Sequence, residues 1–414
     1  MRRVLCILAL SACTALVGCT GPDSTVGLDA LVAAPGGGEV VIVSPSQATL
    51  AVGQTQQFSA QLFKDTKQKK AAFVWTSSDP TVATVSSAGL ATAVGGGEAT
   101  ITATTSTTKS SGTAHLTVQV PPPSVVAHIP LDGNPFGSAV SSNGTGWIGQ
   151  LFAGTAQRLD IAAAQFTGSA PTGPGGSLPV QLYPNAAGSR IYVANFGGIV
   201  ASINTTTLSI VDSVRVGGDA YGVTATPAGD TVFAGITNGP IFKIDLANRT
   251  ILNTLDLPVA AGYHFEWNQA RTLLYASARG FDGGRVFELN PATLAVVRTF
   301  ETGGSPQGIA LSSDGSKLFI AAEAGDVIVW DVAANVQAGT ITTGCQGYGL
   351  LRTPDNSRLF VSCALNGRVV VVNPTSGATI ATLDVGGSPR ELSFDPGTRS
   401  VLVPNEAGWV DIIR

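Results

Sequence analysis

The chain has 414 residues, of which only 12% are charged, and a formal net charge of −4. So weak and slightly acidic a balance offers nucleic acid no electrostatic footprint, and none is expected as a partner. Its three histidines, His115, His128 and His264, are scattered, and no Cys-x-x-Cys-His occurs; this excludes a histidine-cluster zinc site and haem attachment, so no metal and no cofactor is expected.

The N-terminus opens on the cationic Met1-Arg2-Arg3, followed by an apolar run from Val4 to Val17 broken only by Ser11 and Thr14. That run is too short for a mature membrane span and reads as an export signal over residues 1–18. It ends on Leu16-Val17-Gly18-Cys19 rather than on a small-x-small site. In this it resembles a lipoprotein signal with its lipobox. The resemblance implies cleavage before Cys19 and acylation of Cys19, hence a membrane contact through an N-terminal lipid. Thr20, where inner-membrane lipoproteins usually carry Asp, favours the outer membrane if the cell has one. Residues 19–38 are then the lipidated Cys and a flexible tether closing on Pro35-Gly36-Gly37-Gly38.

Residues 39–120 hold short β-branched, alternating runs such as VVIVSP, AAFVWTSS, EATITATT and TAHLTVQV. About 80 residues of this kind predict a β-sandwich. The stretch Val74-Trp75-Thr76-Ser77-Ser78-Asp79-Pro80, with Gly89-Leu90-Ala91-Thr92 and Gly97-Glu98-Ala99-Thr100-Ile101, closely resembles the group 2 bacterial immunoglobulin-like domain. That family often serves as a spacer in exported proteins and adhesins. Trp75 is expected in the core rather than as a sugar platform. Lys64, Lys67, Lys69 and Lys70 are expected at a solvated hairpin tip. Pro121-Pro122-Pro123 makes a short stiff linker.

From 124 to 414 the sequence repeats about every 42 residues. Glycine doublets open units at Gly175-Gly176, Gly217-Gly218, Gly303-Gly304 and Gly386-Gly387, with degenerate openings at Asp132-Gly133, near Pro258 and at Gly344-Cys345. Each unit carries four β-runs, which predicts propeller blades. The third run ends on Asp160, Asn204, Asp245, Asn290, Asp331 or Asn373; these are expected to bond the following turn rather than calcium. The seventh unit stops at Arg414 before its fourth run. Val125 to Leu131 aligns with the missing run, so the two ends are expected to share one blade. The fold class is therefore all-β, an immunoglobulin-like sandwich followed by a seven-bladed propeller closed by a shared blade.

Tyr192-Val193-Ala194-Asn195 and Gly303-Gly304-Ser305-Pro306 with Ser312-Ser313-Asp314-Gly315-Ser316-Lys317-Leu318-Phe319-Ile320-Ala321 resemble the YVTN family of seven-bladed propellers. The likeness covers roughly residues 124 to 414 and departs in blades one and four. It implies a surface or exported protein but no particular activity. Similar propellers include lactonases and quinoprotein-like dehydrogenases, and the enzyme alternative rests on that likeness. His264 and Glu266, two apart on one strand, are the candidate acid–base pair for it.

The candidate ligand site is the channel mouth. The start of the innermost strand reads Phe136, Pro179, Tyr221, Gly262, Gln307, Tyr348 and Arg390 through the blades, and the next position Gly137, Val180, Gly222, Tyr263, Gly308, Gly349 and Glu391. Glycines suit the crowding at an axis. Phe136, Tyr221, Tyr263, Gln307, Tyr348, Arg390 and Glu391 either recognise a ligand or plug the channel. Few titratable groups favour a binding or scaffold module, a monomer meeting an envelope protein or glycan. Cys345 and Cys363 flank a hairpin in blade six; in an oxidising compartment they form a disulfide or remain as buried thiols, and the bridge is the expectation.

Overall fold

A computed structural model describes residues 38–414 except 66, 176, 258–259, 280–282 and 324, and the side chains of 260–263 are outside the description. The export signal, Cys19 and most of the tether thus lie outside the described residues. Among the described residues every regular element is a strand. The chain divides after Val120 into two compact units.

The first unit is a sandwich. Glu39–Ser44 pairs with Ser59–Lys64, which turns back into Lys67–Lys69. A second sheet orders Gln47–Ala51, Ser111–Gln119, Gly97–Thr105 and Phe73–Ser77, its first pair parallel. Strict alternation along Gly97–Thr105 sends Ala99, Ile101 and Ala103 inward, as one buried face requires. They meet Val41, Leu50, Phe58 and Leu116, and Trp75 packs against the same core. Lys67 and Lys69 sit exposed at the hairpin end.

The second unit contains seven four-stranded antiparallel sheets. Six are continuous in sequence; the first, for example, runs through Pro135–Val140, Thr145–Gln150, Thr155–Asp160 and Gln165–Pro171. The seventh takes Ser393–Asp395, Ser400–Asn405 and Trp409–Ile413 from the C-terminal end and Val125–Pro130 from the other. The closing pair aligns Val125 with Ile413 and Pro130 with Trp409. It is pinned by His128 Nδ1 on Asp411 Oδ1 at 2.7 Å, and Trp409 Nε1 donates to Asp411 Oδ2 at 2.9 Å.

The repeat's polar markers act locally. The carboxylate or amide oxygens of Asp160, Asn204, Asp245, Asn290, Asp331 and Asn373 each accept a backbone N–H two or three residues on, at 2.8 to 3.0 Å. Gly303 and Gly304 adopt φ of 67° and 63°. Two successive left-handed residues explain why the unit opens on a doublet and not on any small pair.

Cys345 and Cys363 are bonded, with Cα atoms 5.8 Å apart and a sequence separation of 18. Closing a loop of that size stabilises by about 3 kcal/mol in the chain-entropy model. A Cys345→Ala/Cys363→Ala variant is expected to unfold at lower urea with its fold retained. Unreduced peptide mapping of the parent should recover the linked peptides, and two alkylatable thiols would contradict the bridge.

Candidate functional site at the channel mouth

Each first hairpin turn opens on a polar residue: Ser141, Asn185, Thr226, Asn268, Ser312, Thr353 and Asp395. Counting back four residues along the innermost strand gives the true axial position, Gly137, Gln181, Gly222, His264, Gly308, Gly349 and Glu391. The residue before it is Phe136, Val180, Tyr221, Tyr263, Gln307, Tyr348 or Arg390. Blades two and four are thereby corrected by one residue from the motif-based alignment. The cause is local: blade two has one residue more between its glycine doublet and the hairpin turn than blades three, five and seven, and in blade four Ala261 and Phe265 pair with Ala278 and Ala276, two extra residues where blades one, two, three and five carry one. Each extra residue displaces the reading made from the glycine side.

The correction brings out a constellation that the sequence reading had dispersed. At Gly137 an added Cβ would lie 2.2 Å from Val180 O, and at Gly308 2.5 Å from Leu350 N. These glycines let neighbouring blades approach the axis, and the side chains of Gln181, His264 and Glu391 fill the space that remains. Val223 N donates to Gln181 Oε1 at 3.3 Å. A backbone N–H can only donate, so the amide's orientation follows, and its Nε2 donates to His264 Nδ1 at 3.1 Å and to Glu391 Oε1 at 3.3 Å. His264 is thus the tautomer carrying its proton on Nε2, which faces Glu391 Oε1 at 3.4 Å without an aligned hydrogen bond.

Burial decides the charge of this trio. Desolvation pushes the His264 pKa down to about 3. It pushes Glu391 up to about 8, against the opposing pull of the Gln181 bond and the Arg390 charge, although 12% of the Glu391 side chain still reaches solvent. A neutral imidazole beside a protonated carboxyl puts no net charge on the axis. His264 therefore engages Gln181 and Glu391. Glu266 instead accepts from Leu311 N at 3.5 Å and lies near Arg352 and Arg271, its pKa raised by desolvation to about 7. The His264–Glu266 pairing considered from sequence is replaced by these two separate arrangements.

Above the trio lies an aromatic floor. Phe136 meets Tyr221 and Tyr348 edge-on with ring centroids 6.2 and 6.1 Å apart, and His264 meets the same two tyrosines at 6.3 and 6.2 Å. The Arg390 guanidinium lies 4.6 Å from the Tyr348 ring and 5.2 Å from that of Phe136, and is held by Glu406 at 2.6 Å. Gln307 Nε2 donates to Glu323 Oε1 at 2.8 Å, and Glu323 also pairs with Arg279 at 3.0 Å. Of the residues expected at the mouth, Phe136, Tyr221, Tyr348 and Arg390 thus touch in one cluster. Gln307 is buried and bonds Glu323, and Glu391 belongs to the axial trio. The Tyr263 side chain lies outside the described residues.

A cavity of about 390 Å³ opens beside Tyr348 and Arg390, bounded further by Glu323, Gln346 and Leu365. Glu323, Glu406, Gln346 and Leu365 had escaped the sequence reading. All sit in connections that follow or precede strands, where the repeat imposes no residue type. A hollow of about 560 Å³ lies on the opposite, hairpin side, between blades one and seven. Its carboxylates are already committed to local turns, Asp395 to Gly397 and Thr398 and Asp160 to Ala163. The mouth is the better candidate because its polar groups surround an open space.

Fold and site together define an immunoglobulin-like β-sandwich followed by a seven-bladed β-propeller with a narrow, aromatic-floored mouth. Residues 39–118 match the family described as bacterial Ig-like domain (group 2). The chain is similar to the Uncharacterized protein YncE of Salmonella typhimurium, 26% identical over 153 residues; the match covers 35% of this chain and 42% of that relative's length. In structure it is similar to hydrazine synthase of Kuenenia stuttgartiensis, with a TM-score of 0.62 over 70% of this chain and 98% of that one. At 16% identity that likeness is of fold alone.

Proposed function

We propose that the propeller is a binding module of the cell envelope, displayed on an exported, lipid-anchored chain and contacting a protein or glycan at its channel mouth. The observation that carries this reading is the cavity edged by Arg390, whose guanidinium is stacked on Tyr348 and Phe136 and tied to Glu406. A cation immobilised before any ligand arrives loses little entropy on binding. The enzyme alternative rests on the likeness to other propellers, and the acid–base pair weighed for it, His264 and Glu266, is divided between other partners. Envelope fractions separated into protein and glycan are expected to bind the intact chain and to bind an Arg390→Ala variant at least tenfold more weakly, about 1.4 kcal/mol. Equal retention of both chains would overturn the reading.

The anchor is a separate part of the proposal and rests on the lipobox-like Leu16-Val17-Gly18-Cys19. A Cys19→Ser variant is expected to leave the membrane fraction. Mass spectrometry finding an unmodified mature N-terminus at another residue would refute it.

A further inference from the structure

We infer that the mouth takes an uncharged oligosaccharide, lying outward from the axis across blades five and six; this rests on the mouth being the binding face. Two cavities meet there. The one beside Arg390 shares Gln346 and Leu365 with a second of about 510 Å³ bounded by Asp326, Gly344 and Asn366. Sharing two lining residues, they run on as one trough with room for a chain of linked units.

Its cations are already paired. Arg390 is paired with Glu406 and Arg279 with Glu323. Asp326 Oδ1 accepts from Thr343 N at 2.9 Å and Gly344 N at 3.4 Å. An anionic ligand would have to displace Glu406 or Glu323 to reach a cation and would meet the Asp326 carboxylate, whereas a neutral one need not. On the lining residue Arg390 one buried polar atom, the donor Nε, lacks a partner among the described residues. Buried polar atoms of a native protein are satisfied by a protein group, a water or a ligand. That unused donor, with the side-chain amides of Gln346 and Asn366 along the trough, which donate and accept, matches hydroxyl groups. Leu365, 78% exposed, stands where both cavities meet. It offers an apolar surface of the kind against which the C–H face of a sugar ring packs. A peptide is favoured by a free sheet edge or an apolar groove; this trough is bounded by connecting loops, and Glu323, Gln346, Asp326 and Asn366 interrupt its apolar lining.

The test uses the full chain and titration calorimetry with maltohexaose, cellohexaose and chitohexaose, against oligogalacturonate and a random hexapeptide pool. At least one neutral oligosaccharide should bind. Gln346→Ala and Leu365→Ala, both at exposed positions, should each weaken it about tenfold with unchanged melting temperature. Binding of none of the three, or preference for oligogalacturonate, would overturn the uncharged-glycan assignment. Peptide binding lost in the same variants would overturn it too, while keeping the mouth as the binding face. Binding of any probe unaltered by Gln346→Ala, Leu365→Ala and Arg390→Ala would overturn both.

Discussion

Deleting residues 124–131 should abolish the folded propeller or leave it insoluble. That segment supplies Val125–Pro130, the outer strand of the blade built on Trp409–Ile413. Its loss unpairs a strand edge and uncovers Ile412 and Val410, against which Ala127, Ile129 and Leu131 pack. It also strips His128 from Asp411, which is only 1% exposed and whose pKa burial already raises. An exposed apolar edge is a template for aggregation. A gentler variant, His128→Ala, keeps the strand and removes one partner of that carboxyl. It should cost about 1–3 kcal/mol, the range for leaving a buried polar group short of a bond. Urea unfolding of the soluble variant measures this. A deletion chain that melts with the parent would refute closure by the shared blade.

The propeller should lose stability as pH rises from about 5 to about 8, the reverse of what salt-bridged carboxylates produce. Glu391 and Glu266 have folded pKa values raised to about 8 and about 7, above their ordinary 4.5. Between the ordinary and the raised values the native state holds more protons than the unfolded chain, so stability falls with increasing pH. His264 acts in the opposite sense. Its folded value of about 3 lies under the ordinary 6.5, so in that window the unfolded chain holds the extra proton and stability rises with pH. Two losses outweigh one gain between 4.5 and 6.5. Above 6.5 only the losses remain, each at up to about 1.4 kcal/mol per pH unit. Below the ordinary aspartate value, Asp314 and Asp355, both held down at about 2 by hydrogen bonds, add their own loss on acidification. The optimum should therefore lie near pH 5. Glu391→Gln keeps an uncharged side chain at the axis and should flatten the decline toward pH 8. Chemical denaturation across the range provides the check, and a variant declining as steeply as the parent would show that Glu391 does not carry the effect.

Much of the architecture was legible because it is set by local chemistry. The Asp or Asn that closes each third strand bonds its own turn, and the glycine doublets hold backbone that side chains resist, so both recur wherever the same local structure recurs. Ring closure was legible for the same reason: Val125 to Leu131 carries the pattern of a fourth strand with no third strand before it, and a strand without a neighbour must find one. The aromatic and Arg390 positions at the mouth followed from the repeat alignment in the blades where that alignment held.

The axis itself was decided only in three dimensions. Gln181, His264 and Glu391 come from blades two, four and seven, 83 and 210 residues from Gln181. No local pattern ties them, and an extra residue after the glycine doublet of blade two and a larger bulge in blade four moved two of them one place from where the glycine motif put them. Their shared neutrality is likewise a product of enclosure. An imidazole and a carboxyl in an open strand would titrate in their ordinary ranges, and it is the convergence of seven strands, with glycine at the axial position of the other four blades, that removes the water. The trough beside Arg390 is tertiary in the same sense, since Glu323, Gln346 and Leu365 lie in connections where the repeat leaves residue type free and only the ring brings them together.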